Sequence, residues 1–130
     1  MPKEYKSNPL IFNEQMNPFD YEQYCALLLQ NGGWDAQATQ KSGDQGADVI
    51  ATKGRIKIII QCKLYNTTVG NSAVQQVYTA KKFQEAQAAV VVTNSTFSKS
   101  ARQAAAATGV YLTHHIQLVA TANKIFSEKN

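Results

Sequence analysis

Cysteine is scarce in this chain: only Cys25 and Cys62 occur, both among apolar neighbours. Two such thiols cannot build a disulfide-dense scaffold, and they read as reduced core packing. Long apolar runs are absent too. Nothing approaches the roughly 18 consecutive apolar residues of a membrane-spanning helix. Met1 to Asn17 has only Leu10, Ile11 and Phe12 as an apolar run, too little for a secretory signal. The chain is therefore expected off the membrane and in the cytoplasm. Repeats, low-complexity linkers and internal boundaries are also missing, so 130 residues should make one compact domain. Met1 to Met16 reads as a polar leader and residues 17–127 as the domain. Charge is modest: Lys+Arg number 13 against Asp+Glu 9, a net +4. That mildly basic balance suits a polyanionic partner without identifying one.

What is present is a regular alternation of helix and strand signals. Asn17-Pro18 reads as an N-cap followed by proline in the first turn. The helix it opens runs through Tyr21, Glu22, Cys25, Leu28 and Leu29 to the stop signal Asn31-Gly32-Gly33. Trp34 to Thr39 reads as a strand, and Ser42-Gly43-Asp44-Gln45-Gly46 turns into a second, Ala47 to Thr52. Lys53-Gly54 turns again into a third, Ile56 to Leu64, completing an antiparallel meander. Ser72 with Gln75 resembles a capping box, predicting a helix over Ala73 to Ala86 with Val74, Val77, Tyr78 and Lys81 on one side. Ala88 to Thr93 is an apolar, β-branched run of the kind buried on both faces of a sheet. Ser98 caps an alanine-rich helix that ends before Gly109. A short strand, Val110 to Thr113, and a terminal helix, Ile116 to Phe126, follow. The predicted order is αβββαβαβα. The crossover from third to fourth strand should make that pair parallel. The class is α/β, a mixed sheet flanked by helices.

The chemistry concentrates at Gln61-Cys62-Lys63, thirteen residues after Asp48. Alternate side chains share a strand face, so Gln61 and Lys63 point one way while Cys62 points into the core. An acidic residue on the neighbouring strand adds a carboxylate to that amide oxygen and ammonium. Together these groups can hold a divalent cation against a phosphodiester and activate water beside it. Asp48 supplies the acid: it has the strand parity of Gly46 and Ile50, while Val49 packs inward. His114-His115 is a poor metal pair, because adjacent strand residues point to opposite sides.

Those residues in that order resemble the catalytic domain of the Mrr-type restriction endonucleases, a branch of the PD-(D/E)xK nuclease superfamily. The resemblance runs from Asn17 to about Leu118. It is carried by Phe19 and Glu22 in the first helix, Ser42-Gly43-Asp44-Gln45-Gly46-Ala47-Asp48, and Gln61-Cys62-Lys63. Val69-Gly70, Val92-Thr93-Asn94-Ser95, Phe97-Ser98 and Ala101 continue it. Gln61 stands where the wider superfamily has Glu, as this branch does.

The resemblance implies a restriction-endonuclease-like fold and an endonuclease that cuts DNA by direct attack of water, leaving 5′-phosphates, in a type IV-like restriction role. It implies Mg2+ as cofactor, with Mn2+ as a substitute. Asp48 and Gln61 would be metal ligands, joined by the backbone carbonyl of Cys62 and by Glu22, where relatives place an acid. Lys63 would orient the attacking water or stabilise the transition state. Asp44, otherwise a turn residue between glycines, and Gln75 and Gln76 on the second helix are candidate DNA contacts. Gln61 contributes no charge, so metal affinity should be weak and lean on the DNA phosphate. A homodimer is expected at least on DNA, with Ser98 to Thr108 either its contact surface or packed on its own sheet. Relatives carry a separate DNA-recognition domain, for which 130 residues leave no room, so the chain is expected to be a domain of a longer protein, to cleave with little sequence preference, or to take recognition from a partner. The alternatives are a non-catalytic DNA-binding or assembly module on the same fold, and a Holliday-junction resolvase-like enzyme.

Overall fold

The computed structural model describes residues 11–39 and 46–130. Most of the polar leader and the turn Ser42 to Gln45, Asp44 included, lie outside the described residues. Helix α1 spans Pro18–Asn31; the Asn17 side chain accepts from the Asp20 amide at 2.8 Å, so the predicted cap forms. Strands β1 (Asp35–Ala38), β2 (Val49–Lys53) and β3 (Ile56–Lys63) make the antiparallel meander. Helix α2 (Asn71–Phe83) crosses over to β4 (Ala88–Thr93), parallel to β3. Helix α3 (Lys99–Thr108) returns the chain to β5 (Tyr111–His114), parallel to β4. A 3₁₀ turn, His115–Gln117, leads into α4 (Leu118–Lys129). Strand order is β1-β2-β3-β4-β5.

The sheet is buried on both sides. Val49, Ala51, Ile58, Ile60, Val90 and Val92 face α1 and α4, where Tyr21, Cys25, Leu29, Leu118, Ala122 and Ile125 close over them. Ile59, Ala89 and Val91 point the other way, against Val74 and Val77 of α2 and Ala101 and Ala105 of α3. Strand parity decides each assignment. Every residue of β4 is buried, as its apolar run predicts. Phe12 and Met16, within the predicted leader, pack on the α1 side of the core.

Three expectations need correction. No capping box opens α2: Gly70 is its N-cap and Ser72 is exposed, while the Gln75 amide donates to Asn71 Oδ1 at 3.2 Å. That helix also stops at Phe83, short of Ala86, and Glu85 takes φ +54° in the turn beyond it. His114 and His115 do not point apart. The strand ends at His114, the 3₁₀ turn begins at His115, and the ring centroids stand 4.3 Å apart. Three of their ring nitrogens have protein partners: His114 Nδ1 accepts from the Ile116 amide at 3.1 Å, His114 Nε2 lies 3.2 Å from Asn94 O, and His115 Nδ1 lies 2.9 Å from the Tyr21 hydroxyl.

Candidate active site

Strand β3 is longer than β2, and the site lies where it outruns that neighbour. Val49 pairs with Ile60, while Gln61, Cys62 and Lys63 continue beside Val91, Val92 and Thr93 of β4. On the β2 side, Asp48 closes the ladder. Its amide donates to Ile60 O at 2.8 Å, and its carboxylate Oδ2 accepts from the Cys62 amide at 2.8 Å. A strand residue projects its N–H and C=O toward the same edge, so the Cys62 carbonyl also faces Asp48. Thr39, just past β1, ties this corner down: its amide donates to Asp48 O at 2.9 Å and its hydroxyl to Ala47 O at 2.7 Å.

Gln61 lies on the α2 face and is 4% exposed. Its Nε2 donates to Gln76 Oε1 at 3.0 Å, whereas its Oε1 is buried and accepts no hydrogen bond. A buried acceptor without a donor costs on the order of 1–3 kcal/mol. Native structures rarely tolerate one without a reason, such as an ion it serves.

Cys62 points to the opposite face, onto α1. Burial pushes its thiol pKa well above the usual value, and hydrogen bonding to Cys25 and the negative charges of Asp48 and Glu22 add to the rise. Both carboxylates therefore act on the same sulfur, Asp48 from the sheet and Glu22 from α1. Glu22 sits one helical turn before Cys25, the residue that meets Cys62. Asp48, Gln61 and the Cys62 carbonyl thus share one strand end, with Glu22 on the α1 side of the sheet.

Lys63 shares the Gln61 face, and its Nζ stands 5.8 Å from the Tyr65 ring centroid. Its backbone is fixed: Lys63 O accepts from the Thr93 hydroxyl at 2.7 Å. Asn94 holds Tyr65 by two bonds of 2.8 Å each, to its amide and from its own side-chain amide to the carbonyl. Gln75 and Gln76 are exposed on α2 and, with Gly46 and Thr79, line a groove of about 480 Å³. A second groove, about 770 Å³, runs past Tyr65, Asn66, Asn94 and Ser95.

Among the described residues no three His, Cys, Asp or Glu side chains gather as a metal-binding group. A cation here would rest on two carboxylates and two neutral oxygens. That is a hard, all-oxygen donor set of the kind Mg2+ takes, and Mg2+ completes its shell with water and substrate phosphate. The unsatisfied Gln61 oxygen fits it.

Sequence reasoning missed Thr39, the Gln61–Gln76 bond and the Asn94–Tyr65 clamp. A polar residue ending a strand signalled the first; the others join residues 15 and 29 positions apart and left no local signal.

The fold is that of the restriction-endonuclease-like class, a mixed sheet with this polar cluster where the antiparallel and parallel halves meet. The restriction endonuclease family, in its Mrr catalytic-domain form, matches residues 13–122, and the chain belongs to it. The DNA modification-dependent restriction endonuclease AspBHI is 26% identical, with a TM-score of 0.63 over 81% of this chain and 30% of its own. AF1548, a protein of unknown function, shares the fold at 21% identity and a TM-score of 0.67, over 83% of this chain and 67% of its own. The MspJI restriction endonuclease, solved with a 27-mer oligonucleotide, is 22% identical at a TM-score of 0.49, over 74% of this chain and 24% of its own. No curated protein matches. The chain thus spans under a third of the length of AspBHI. Among the described residues no helix is long and apolar enough to cross a membrane.

Proposed function

We propose that this chain is a Mg2+-dependent endodeoxyribonuclease domain that hydrolyses DNA phosphodiester bonds in a type IV-like restriction role in the cytoplasm. Residues 17–127 form the catalytic unit. One observation carries the reading: Asp48 is fixed on the Cys62 amide beside a buried Gln61 oxygen that has no donor. Asp48, Gln61, the Cys62 carbonyl and Glu22 would hold the cation, with Mn2+ able to replace Mg2+. A bound divalent cation supplies charge neutralisation at the phosphate and lowers the pKa of water. Lys63 directs the attacking water and offsets charge on the phosphoryl oxygens. The water oxygen bonds to phosphorus as the P–O3′ bond breaks. Water loses a proton and the departing 3′-oxygen gains one, leaving a 5′-phosphate and a 3′-hydroxyl.

DNA is the partner in this reading. AspBHI is a restriction enzyme that depends on DNA modification, and this chain matches 30% of its length. Recognition is then the task of an upstream domain or a partner, and two nuclease domains pair on the duplex. The test is cleavage of supercoiled, linear and branched DNA by the purified chain, with Mg2+ and with chelator. Asp48→Ala and Lys63→Ala should each slow cleavage by at least ~100-fold, the size of losing a transition-state charge partner. Lys63→Ala should melt near the wild-type temperature, since its side chain fills no core. Asp48→Ala also removes the acceptor of the Cys62 amide and should remain folded but melt somewhat lower. A wild-type chain that binds DNA without cutting it would be a binding module, and a preference for branched DNA would make it a resolvase. A variant that cuts at the wild-type rate would move the site elsewhere.

A further inference from the structure

A carboxylate at position 61 would present oxygen whichever way its end group turned. An amide does so in one orientation only; the other offers two N–H donors, which repel a cation. Gln61 therefore needs something to choose its orientation. The structure has such a group in Gln76, whose Oε1 accepts from Gln61 Nε2 at 3.0 Å. An acceptor at that end holds the amide nitrogen there and leaves Oε1 at the other, where it is buried without a donor. The helix backbone that carries Gln76 is seated close to the chain at Gly46, where a Cβ would stand 3.0 Å from the Gln76 backbone carbonyl oxygen. Resting on the metal-site reading above, we infer that Gln76 is a positioning residue that turns the Gln61 amide so that its oxygen faces the cation. Its acceptor oxygen does this work, in place of contact with DNA.

Gln76→Leu removes the acceptor from an exposed helix position, and Gln76→Glu keeps one. Two readouts apply: Mn2+ binding to the DNA-free protein by calorimetric titration, and the Mg2+ concentration that half-saturates cleavage. Gln76→Leu should weaken both by ~10-fold or more, the usual effect of losing a group that orients a ligand. Gln76→Glu should leave them at or below the wild-type requirement. In a Gln61→Glu background, whose carboxylate needs no orienting, Gln76→Leu should cost little. The inference is overturned if Gln76→Leu has the same effect in both backgrounds. It is also overturned if Gln76→Leu changes only metal-free DNA affinity. Asp48→Ala separates the two levels. If it abolishes Mn2+ binding while Gln76→Leu leaves binding intact, the Gln76 inference alone fails; if it too leaves binding intact, the metal-site reading fails first.

Discussion

Gly46 shapes the site through what it lacks. Its φ of +89° lies in the left-handed region, and a Cβ would meet the Gln76 carbonyl at 3.0 Å. Any L-residue there meets both penalties, since backbone strain alone costs roughly 1–2 kcal/mol. Gly46→Ala should therefore lower unfolding free energy by about 1–3 kcal/mol, read from denaturant midpoints. It should also raise the metal requirement of cleavage, because relief comes from pushing α2 and Gln76 away from Gln61. An alanine variant with wild-type stability would show that the close approach is not maintained. At this scale the meeting of Asp48 with the Gln61-Cys62-Lys63 strand end was legible in the sequence, because strand parity is a two-residue rule; the roles of these residues belong to the proposal above. The partner that turns Gln61 was not legible. Gln76 reads locally as one more polar residue on an amphipathic helix, and only the crossing of α2 over β3 gives it that role.

Elements meet at a second polar point, where α1 touches the turn after β5. His115 is 7% exposed and bonded to the Tyr21 hydroxyl at 2.9 Å, with Phe12 and Tyr24 around it at ring-centroid distances of 4.6 and 5.3 Å. Burial, aided by neighbouring His114, lowers the His115 pKa to about 4. Below its unfolded value near 6.5, the unfolded chain binds a proton that the folded chain refuses. The contribution is complete above about pH 6.5 and is lost as pH falls toward 4, to a total of ~3 kcal/mol. His115→Gln keeps an acceptor for Tyr21 and does not titrate, so it should flatten this part of the stability profile. Parallel pH-dependent slopes for the two proteins between 4 and 6.5 would remove His115 from the acid response. The sequence pattern ended the strand at Thr113 yet pointed the two histidines apart as strand neighbours; β5 ends at His114, and the 3₁₀ turn after it brings the rings together. Element order and the parallel β3–β4 pair were legible, because short apolar, β-branched runs and Gly stops mark them. Helix ends were not: Gly70 caps α2 without a side chain, so Ser72 drew the eye to the wrong turn.

Among the described residues one such corner forms, and in the proposed reaction one corner would cut one strand. A duplex break needs two copies acting together or two separate visits. A net charge of +4 gives a lone copy few phosphate contacts, so its non-specific affinity at physiological salt should be micromolar or weaker. Pairing two copies roughly doubles those contacts and sets two sites on one duplex. Helix α3 already spends one face on its own core, through Ala101 and Ala105, which leaves Arg102, Gln103, Ala106 and Ala107 exposed. The small alanines on that outer face let two backbones approach closely, so α3 can serve fold and pairing at once. Sedimentation with and without a duplex should show a monomer shifting to a dimer on DNA, and Ala106→Glu with Ala107→Glu should block that shift and reduce double-strand breaks to nicks. A protein that stays monomeric on DNA yet breaks both strands in one encounter would refute pairing. One that dimerises despite the two glutamates would move the contact off α3.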